Sequence, residues 1–363
     1  MAAPRPISVR EIELQARARC EALTRECLPN AIKDGAYLKV GSIGGERGSS
    51  LVVNLQGANR GMWRDWSANT AGDMVVLVEQ TKFGGDRGQA VQWLKSWLGL
   101  DDLDPGRLAT VRAEAASVDD DLAAEAAREA EAKKKGARSL WLKGVADIAE
   151  TPAARYLEGR GIDVEPLVRW PGALRFHDEV WNRDAGIKLP AMLAAMTLPD
   201  GSHVATHRTF LGREPGTRRW VKADAADLGV PRGQAKKVIG KSGGAFVPIR
   251  KGASKLSMSR IRAPEAVYVT EGIEDALTVA MAAPLVRVIA AYSLGNLGAI
   301  AFPPILETIV IVADRDDHVR EQEALERAIA RQQARGHRVR LAMPPPGFKD
   351  MNAALVGQRA VAA

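Results

Sequence analysis

Cysteine is nearly absent from this chain. Cys20 and Cys27, with six residues between them, are the whole complement of 363 residues. Neither a disulfide framework nor a four-thiolate zinc site can be built from two thiols, so no structural zinc is expected. Aromatic residues make up 5%, with only four tyrosines, Tyr37, Tyr156, Tyr268 and Tyr292. No run of about 18 apolar residues exists, and the opening MAAPRPISVREIEL is charged too early for the apolar stretch of a signal peptide. A soluble, cytoplasmic protein without a membrane partner is the expectation. Acids are scarce in one region: Asp200 to Arg262 holds four Asp/Glu against fourteen Lys/Arg, a net of +10 that exceeds the +7 of the whole chain. Glycines are interleaved there (PRGQAKKVIGKSGG, 231–244), which favours nucleic acid or nucleotide phosphate over a merely solvated face.

The length suggests two or three domains, and 46% hydrophobic residues is enough for real cores. Residues 101–139 carry ten acids and seven bases in long Ala/Glu/Lys runs with few large apolar side chains, and read as a solvent-washed helical linker. The divisions expected are a small α+β domain over 1–100, the charged linker over 101–139, a basic α+β subdomain over 140–262 and an α/β domain over 263–363.

In the last domain, strands at 266–270 (AVYVT), 286–292 (VRVIAAY), 308–313 (TIVIVA) and 337–343 (HRVRLAM) alternate with helical patterns at 273–283, within 297–306 and at 319–336, the last closed by Gly336. That alternation predicts an α/β fold, a parallel Rossmann-like sheet with helices on both faces. Functional groups then collect at the carboxyl edge. Glu271-Gly272 follows the first strand with Asp275 a turn on; Asp314, Arg315, Asp316 and Asp317 follow the third; Lys349-Asp350-Met351-Asn352 comes after the fourth. Carboxylates crowded at neighbouring strand ends repel unless a hard cation such as Mg²⁺ (or Mn²⁺) sits among them. Asp314 and Asp316, alternating in an extended segment, can point the same way toward one or two ions against a phosphate. Taken singly, each acid reads equally as a helix cap or surface residue. Asp275 and Asp317 therefore rank behind Glu271, Asp314 and Asp316.

The runs VTEGIEDAL, YSLGN (292–296), IVIVADRDD and KDMNAAL resemble the Toprim domain in its primase form, over about 264–356. The basic stretch VPRGQAKKVIGKSGGAFVPI is similar to the segment that precedes Toprim in phage- and plasmid-borne primase-like proteins, related to DnaG-type primases. The resemblance implies that Glu271 carries chemistry and that Asp314 and Asp316 bind Mg²⁺. Asp350 matches a third acidic position, whereas Asn352 stands where the family often has another Asp. Among Toprim users, no tyrosine is placed for topoisomerase cleavage, since Tyr268 and Tyr292 fall inside the domain's own elements. The four-cysteine motif of RecR-like proteins is missing.

Ala235 to Ser242 approaches the phosphate-binding pattern GxxxxGK[ST]. No apolar strand precedes it and GGAFVPI after it is strand-like, not the helix such a loop needs. The primase-like reading instead gives Lys236, Lys237 and Lys241, with Lys222 and Arg208, to triphosphate or template phosphates. Arg208 belongs to the second strand of a hairpin over 189–211 that turns at Pro199-Asp200-Gly201. Over 38–100, strands, the element MWRDWSANTAGDMVVLVEQ and a tryptophan-bearing helix weakly resemble the zinc-ribbon domain of primases, here without cysteines. Trp63 and Trp66, beside Arg60 and Arg64, read equally as single-stranded-DNA stacking residues and as core.

The function expected is a primase-like nucleotidyltransferase making short primers on single-stranded DNA from nucleoside triphosphates. The alternatives are a Toprim metal-dependent nuclease and a non-catalytic single-stranded-DNA-binding accessory protein. No helicase motor is legible, so coupling to unwinding calls for a separate helicase chain.

Overall fold

The computed structural model describes residues 5–316 and 318–362; Asp317, read above as a helix cap, lies outside the described residues. The chain divides into two compact units, Met1–Glu131 and Ala132–Ala363.

The first unit opens with α1 (Val9–Ala18) and α2 (Cys20–Cys27). Ser8 and Glu11 cap α1 reciprocally, each accepting a backbone N–H of the other. Five strands follow as an antiparallel meander in chain order, β1 (Ile32–Asp34), β2 (Tyr37–Val40), β3 (Leu51–Asn54), β4 (Trp63–Asp65) and β5 (Thr70–Gly72). Asp73 and Asp86 then cap α3 (Met74–Lys82) and α4 (Arg87–Trp97) through the N–H groups of Val76 and Gln89. One face of the meander and the helices bury Leu23, Leu38, Leu51, Trp63, Met74 and Leu94 together. Both cysteines are free, and Cys20 is part of this core.

The helix expected over 101–139 is present, but its first half is packed rather than solvent-washed. Residues 105–143 form one helix, α5 (Pro105–Lys143), and its first half buries Leu108, Val111, Ala115 and Leu122. Those positions are three, four and seven residues apart and share one helix face, and Ala115 and Leu122 pack on Leu14 of α1 with the partly buried Val118. Four such side chains suffice for an anchoring stripe even where charged residues outnumber them.

The second unit continues with α6 (Pro152–Glu158) and an antiparallel sheet of β6 (Leu174–Asn182), β7 (Ile187–Thr197), β8 (His203–Arg213), β9 (Trp220–Lys222) and β10 (Lys236–Gly240). Its order is β10-β8-β7-β6, with β9 also on β8. The long hairpin of β7 and β8 turns where expected, with Gly201 at φ +90°. Gly240, which completes the phosphate-loop-like pattern, ends a strand rather than a loop. It sits at φ +99°, and a Cβ there would fall 2.7 Å from the Ala205 Cα, so only glycine fits against β8.

The last sheet is β11 (Val247–Lys251), β12 (Ala266–Thr270), β13 (Arg287–Ala290), β14 (Thr308–Val312) and β15 (Arg338–Ala342), in the order β11-β13-β12-β14-β15. The four strands expected to be parallel are parallel; β11 joins as an antiparallel edge. Helices α7 (Ile273–Ala282), α8 (Leu294–Leu297), α9 (Val319–Ala334) and α10 (Met351–Ala362) complete the fold. On one face Val288 and Ala290 pack with Ala276 and Leu277 of α7. On the other, Val267, Ile289 and Ile309 pack with Ala328 of α9. The period-2 alternation of β13 thus places helices on both faces. No helix among the described residues is long and apolar enough to cross a membrane.

Candidate functional site

Because β12 lies between β13 and β14, the segments leaving the carboxyl ends of β12 and β14 emerge side by side, and these carry Glu271 and Asp314. Both line a cavity of about 680 Å³ within the second unit, together with Asp275 and Asp350. The same cavity is lined by residues of the preceding region: Lys222 at the end of β9, Lys236 at the start of β10, His207 of β8, and Arg160. An adjoining cavity of about 470 Å³ shares Glu271 and Asp314 and adds Asp316 and Glu321.

Local structure holds each acid in place. Gly272 caps α7, and a Cβ there would lie 3.0 Å from the Asp275 carboxylate, so glycine leaves room for the acids to approach. Asp316 accepts the N–H of His318 at 3.0 Å, and Asp350 accepts that of Ala353 at 2.6 Å in the first turn of α10. Tyr292 follows β13 at φ +77°, a conformation uncommon for a bulky side chain, with its N–H donating 3.0 Å to the Glu271 carbonyl. Its ring meets His207 edge-on at 5.8 Å between centroids.

Residues 266–359 match the family model of the Toprim domain, and residues 131–249 match that of a domain of unknown function (DUF7146). Residues 266–359 are a Toprim domain. No curated protein matches the chain. Among solved structures, the Aquifex aeolicus primase (zinc-binding and RNA polymerase domains) aligns at 14% identity and a TM-score of 0.36 over 98% of this chain and 85% of that one. The primase fragment of the bacteriophage T7 primase-helicase protein aligns at 18% and 0.37 over 60% and 75%. A DNA primase domain from Pseudomonas aeruginosa aligns at 16% and 0.39 over 62% and 75%. None of these superpositions reaches 0.5, and the Toprim assignment rests on the sequence match together with the strand order above.

Three acids of the Toprim edge, Glu271, Asp275 and Asp314, resist ionisation. Burial, then repulsion from Glu271 and Asp350, pushes Asp314 up to about 6. Burial does the same to Asp275, with Asp350 and Asp314 adding to it against the Asn352 N–H, and brings it to about 6. Glu271 is raised by burial and by Glu321. Among the described residues no three His, Cys, Asp or Glu side chains converge as a ready metal-ligating group. The donor set nevertheless suits the divalent metal that Toprim domains typically bind: Glu271 and Asp314, adjoined by Asp316 and Asp350, offer only carboxylate oxygen, and their mutual repulsion is what a hard cation removes.

Three of the expected positions, Arg208, Lys237 and Lys241, are outside the lining of this cavity, and Trp63 and Trp66 belong to the first unit. Arg208 points to the opposite face of β8 from His207, with its guanidinium 5.5 Å from the Phe210 ring, and is not among the residues that line the cavity. Lys237 likewise faces away from Lys236 and pairs with Asp184 at 2.8 Å, and Lys241 is exposed beyond the strand and outside the cavity lining. Trp63, in the first unit, is 2% exposed and donates its indole N–H to the Asp73 carbonyl at 2.9 Å; it is core and unable to stack on a base. Trp66 is 65% exposed, with Arg64 over its ring at 4.3 Å, the arrangement a stacking residue needs.

Sequence reasoning missed Arg160, His207, Glu274, Tyr292 and Lys349. His207 is 4% exposed and held down to about 3 by burial and by Lys236 and Lys222, hence neutral. Glu274 and Tyr292 lay inside quoted motifs without a pattern to separate them from their neighbours; Arg160 had no local signal.

Proposed function

We propose that the chain is a DNA-directed primase, a nucleotidyltransferase that makes short primers on single-stranded DNA from nucleoside triphosphates. The observation that supports this most is the composition of one cavity: carboxylates of the Toprim edge line it together with Lys222 and Lys236. Nucleotidyl transfer needs both, cations for the triphosphate and oxygen donors near the reacting phosphorus. The hydroxyl of a growing strand attacks the α-phosphorus, the bond to pyrophosphate breaks, and the hydroxyl proton passes to Glu271, whose pKa burial raises, making it a stronger base than an exposed carboxylate. Lys222 and Lys236 neutralise the phosphates that leave as pyrophosphate. Mg²⁺ or Mn²⁺, held by Asp314 with Glu271, Asp316 and Asp350, supplies charge neutralisation at the transferring phosphoryl group.

In this reading residues 140–262 and 263–363 make the catalytic pair of subdomains, 101–139 join them to residues 1–100, and Trp66 with Arg64 stacks on template bases. A separate helicase chain supplies unwinding. The test is primer synthesis on single-stranded DNA with labelled nucleotides and Mg²⁺ or Mn²⁺, comparing wild type with Glu271→Gln. Short products from wild type alone are expected. Shortened input DNA would replace this reading with a nuclease, and intact, bound DNA without product would replace it with an accessory protein.

A further inference from the structure

Glu274 is a buried carboxylate in the first turn of α7, among the apolar side chains Ile273, Ala276 and Leu277. Burying a charge in such company is costly, and an apolar residue would fill the position at less expense, so its partners need an account. Three elements of the preceding region supply them. Tyr156 of α6 donates its hydroxyl to Glu274 Oε1 at 2.6 Å, Lys222 Nζ lies 3.2 Å from Oε1, and Lys236 Nζ lies 3.6 Å from Oε2. Burial alone would raise the carboxyl, yet the two ammonium groups and the phenol hold it well below the ordinary range. Both oxygens are therefore engaged, and two ammonium groups already balance the Glu274 charge. The two lysines are only partly covered, 30% and 36% exposed, and both line the cavity shared with Glu271 and Asp314.

We infer that Glu274 is a positioning residue: within the lining of that cavity it holds Lys222 and Lys236 on its two carboxylate oxygens, so that both ammonium groups meet the phosphates of an incoming nucleoside triphosphate. Without the carboxylate, two cations share one volume and repel, and each long, flexible side chain turns to solvent. With it, their spacing is fixed before substrate arrives, and the ordering cost of binding falls. Position 274 thus acts on substrate affinity and only indirectly on the chemical step. The inference rests on the primer-synthesis reading.

The experiment measures initial rates of primer synthesis by the full chain against nucleoside triphosphate concentration, with Mg²⁺, for wild type, Glu274→Gln, Glu274→Asp and Tyr156→Phe, alongside their melting temperatures. Glu274→Gln is expected to raise KM roughly tenfold with kcat changed far less, the signature of lost binding rather than lost chemistry. Glu274→Asp, which keeps the charge on a shorter arm, recovers part of the affinity. Tyr156→Phe, which removes only the neutral partner, raises KM by less than Glu274→Gln. The inference is overturned if Glu274→Gln leaves KM unchanged or lowers it, or if Glu274→Asp regains the wild-type melting temperature without regaining any affinity. Should Glu274→Gln fail to fold, Glu274→Asp decides alone: wild-type KM in that variant overturns the inference. A wild type that makes no primer at all defeats the underlying reading instead, and the inference with it.

Discussion

The backbone N–H of Asn352 donates 3.0 Å to the Asp275 carboxylate, tying the first turn of α10 to the first turn of α7. The Asn352 side chain is fully buried, and its amide nitrogen donates to the Arg160 carbonyl at 2.8 Å and to Thr278 Oγ1 at 3.3 Å. An amide can make those donations and a carboxylate cannot. Asparagine at this position, where the family often has aspartate, is therefore a structural tie.

Asn352→Asp is expected to destabilise the fold by on the order of 3 kcal/mol, because it removes both donated bonds and leaves an unpaired buried carboxylate beside Asp275. Asn352→Ala, which adds no charge, costs less. Denaturant unfolding of the two variants checks the order, and an aspartate variant as stable as wild type contradicts it.

Acidity acts on the same region with a definite sign. Asp314 and Asp275 ionise near 6 in the folded chain and near the ordinary 3.8 when unfolded. The folded state therefore favours their protonated forms. This contribution is fully present below about 4 and is lost as pH rises through about 6. His207, held down to about 3, contributes oppositely: its share is present above about 6.5 and lost as pH falls. Replacing Asp314 separates the two. Asp314→Asn is expected to melt higher than wild type at pH 8 without metal, with the gap closing by pH 4, and to lose most of the stabilisation that Mg²⁺ gives wild type. Melting curves across that range, with and without Mg²⁺, supply the measurement.

The left-handed backbone of Tyr292 can be isolated from its ring. Tyr292→Gly and Tyr292→Ala both lose the contact with His207, but only glycine adopts φ +77° without strain. The glycine variant is expected to be more stable than the alanine variant by about 1 kcal/mol. Equal stabilities would mean that the turn relaxes once the ring is gone.

The two tryptophans of β4 and its turn should part company on substitution. Trp63→Ala empties the core of the first unit and is expected to cost about 3 to 5 kcal/mol. Trp66→Ala leaves the melting temperature near wild type and weakens single-stranded-DNA binding by about 1 to 3 kcal/mol if one base stacks there. Fluorescence titration with an oligonucleotide distinguishes them, and unchanged affinity of Trp66→Ala removes it from the template path.

How much of this was legible before the structure depended on whether periodicity or pairing decides a position. Strand β12 was read to the residue, because an apolar β-branched run bounded by acids has one reading. The second strand was read three residues too long, one at its start (Val286) and two at its end: Ala291 and Tyr292 continue the apolar pattern but belong to the turn, where Tyr292 reverses its φ. The helical piece expected within 297–306 lies earlier, over Leu294–Leu297, started by the Ser293 side chain accepting the Asn296 N–H. Glu271 and Asp314 were legible because carboxyl ends of parallel strands converge whatever the details. The lysines were not, because Lys236 and Lys237 are adjacent on β10 and must face opposite ways. Only the pairing of β10 with β8 decides which of them meets the Toprim acids.

Glu274 lies within the stretch matched as Toprim, whereas Tyr156, Lys222 and Lys236 lie within the stretch matched as the domain of unknown function. A chimera that joined this Toprim domain to a different upstream partner would carry a buried anion with no counter-charge, and the reciprocal chimera would carry two crowded cations. The two stretches are thus interlocked by charge as well as by sequence order. Recombination between relatives would be expected to respect that seam, keeping the two as one heritable block.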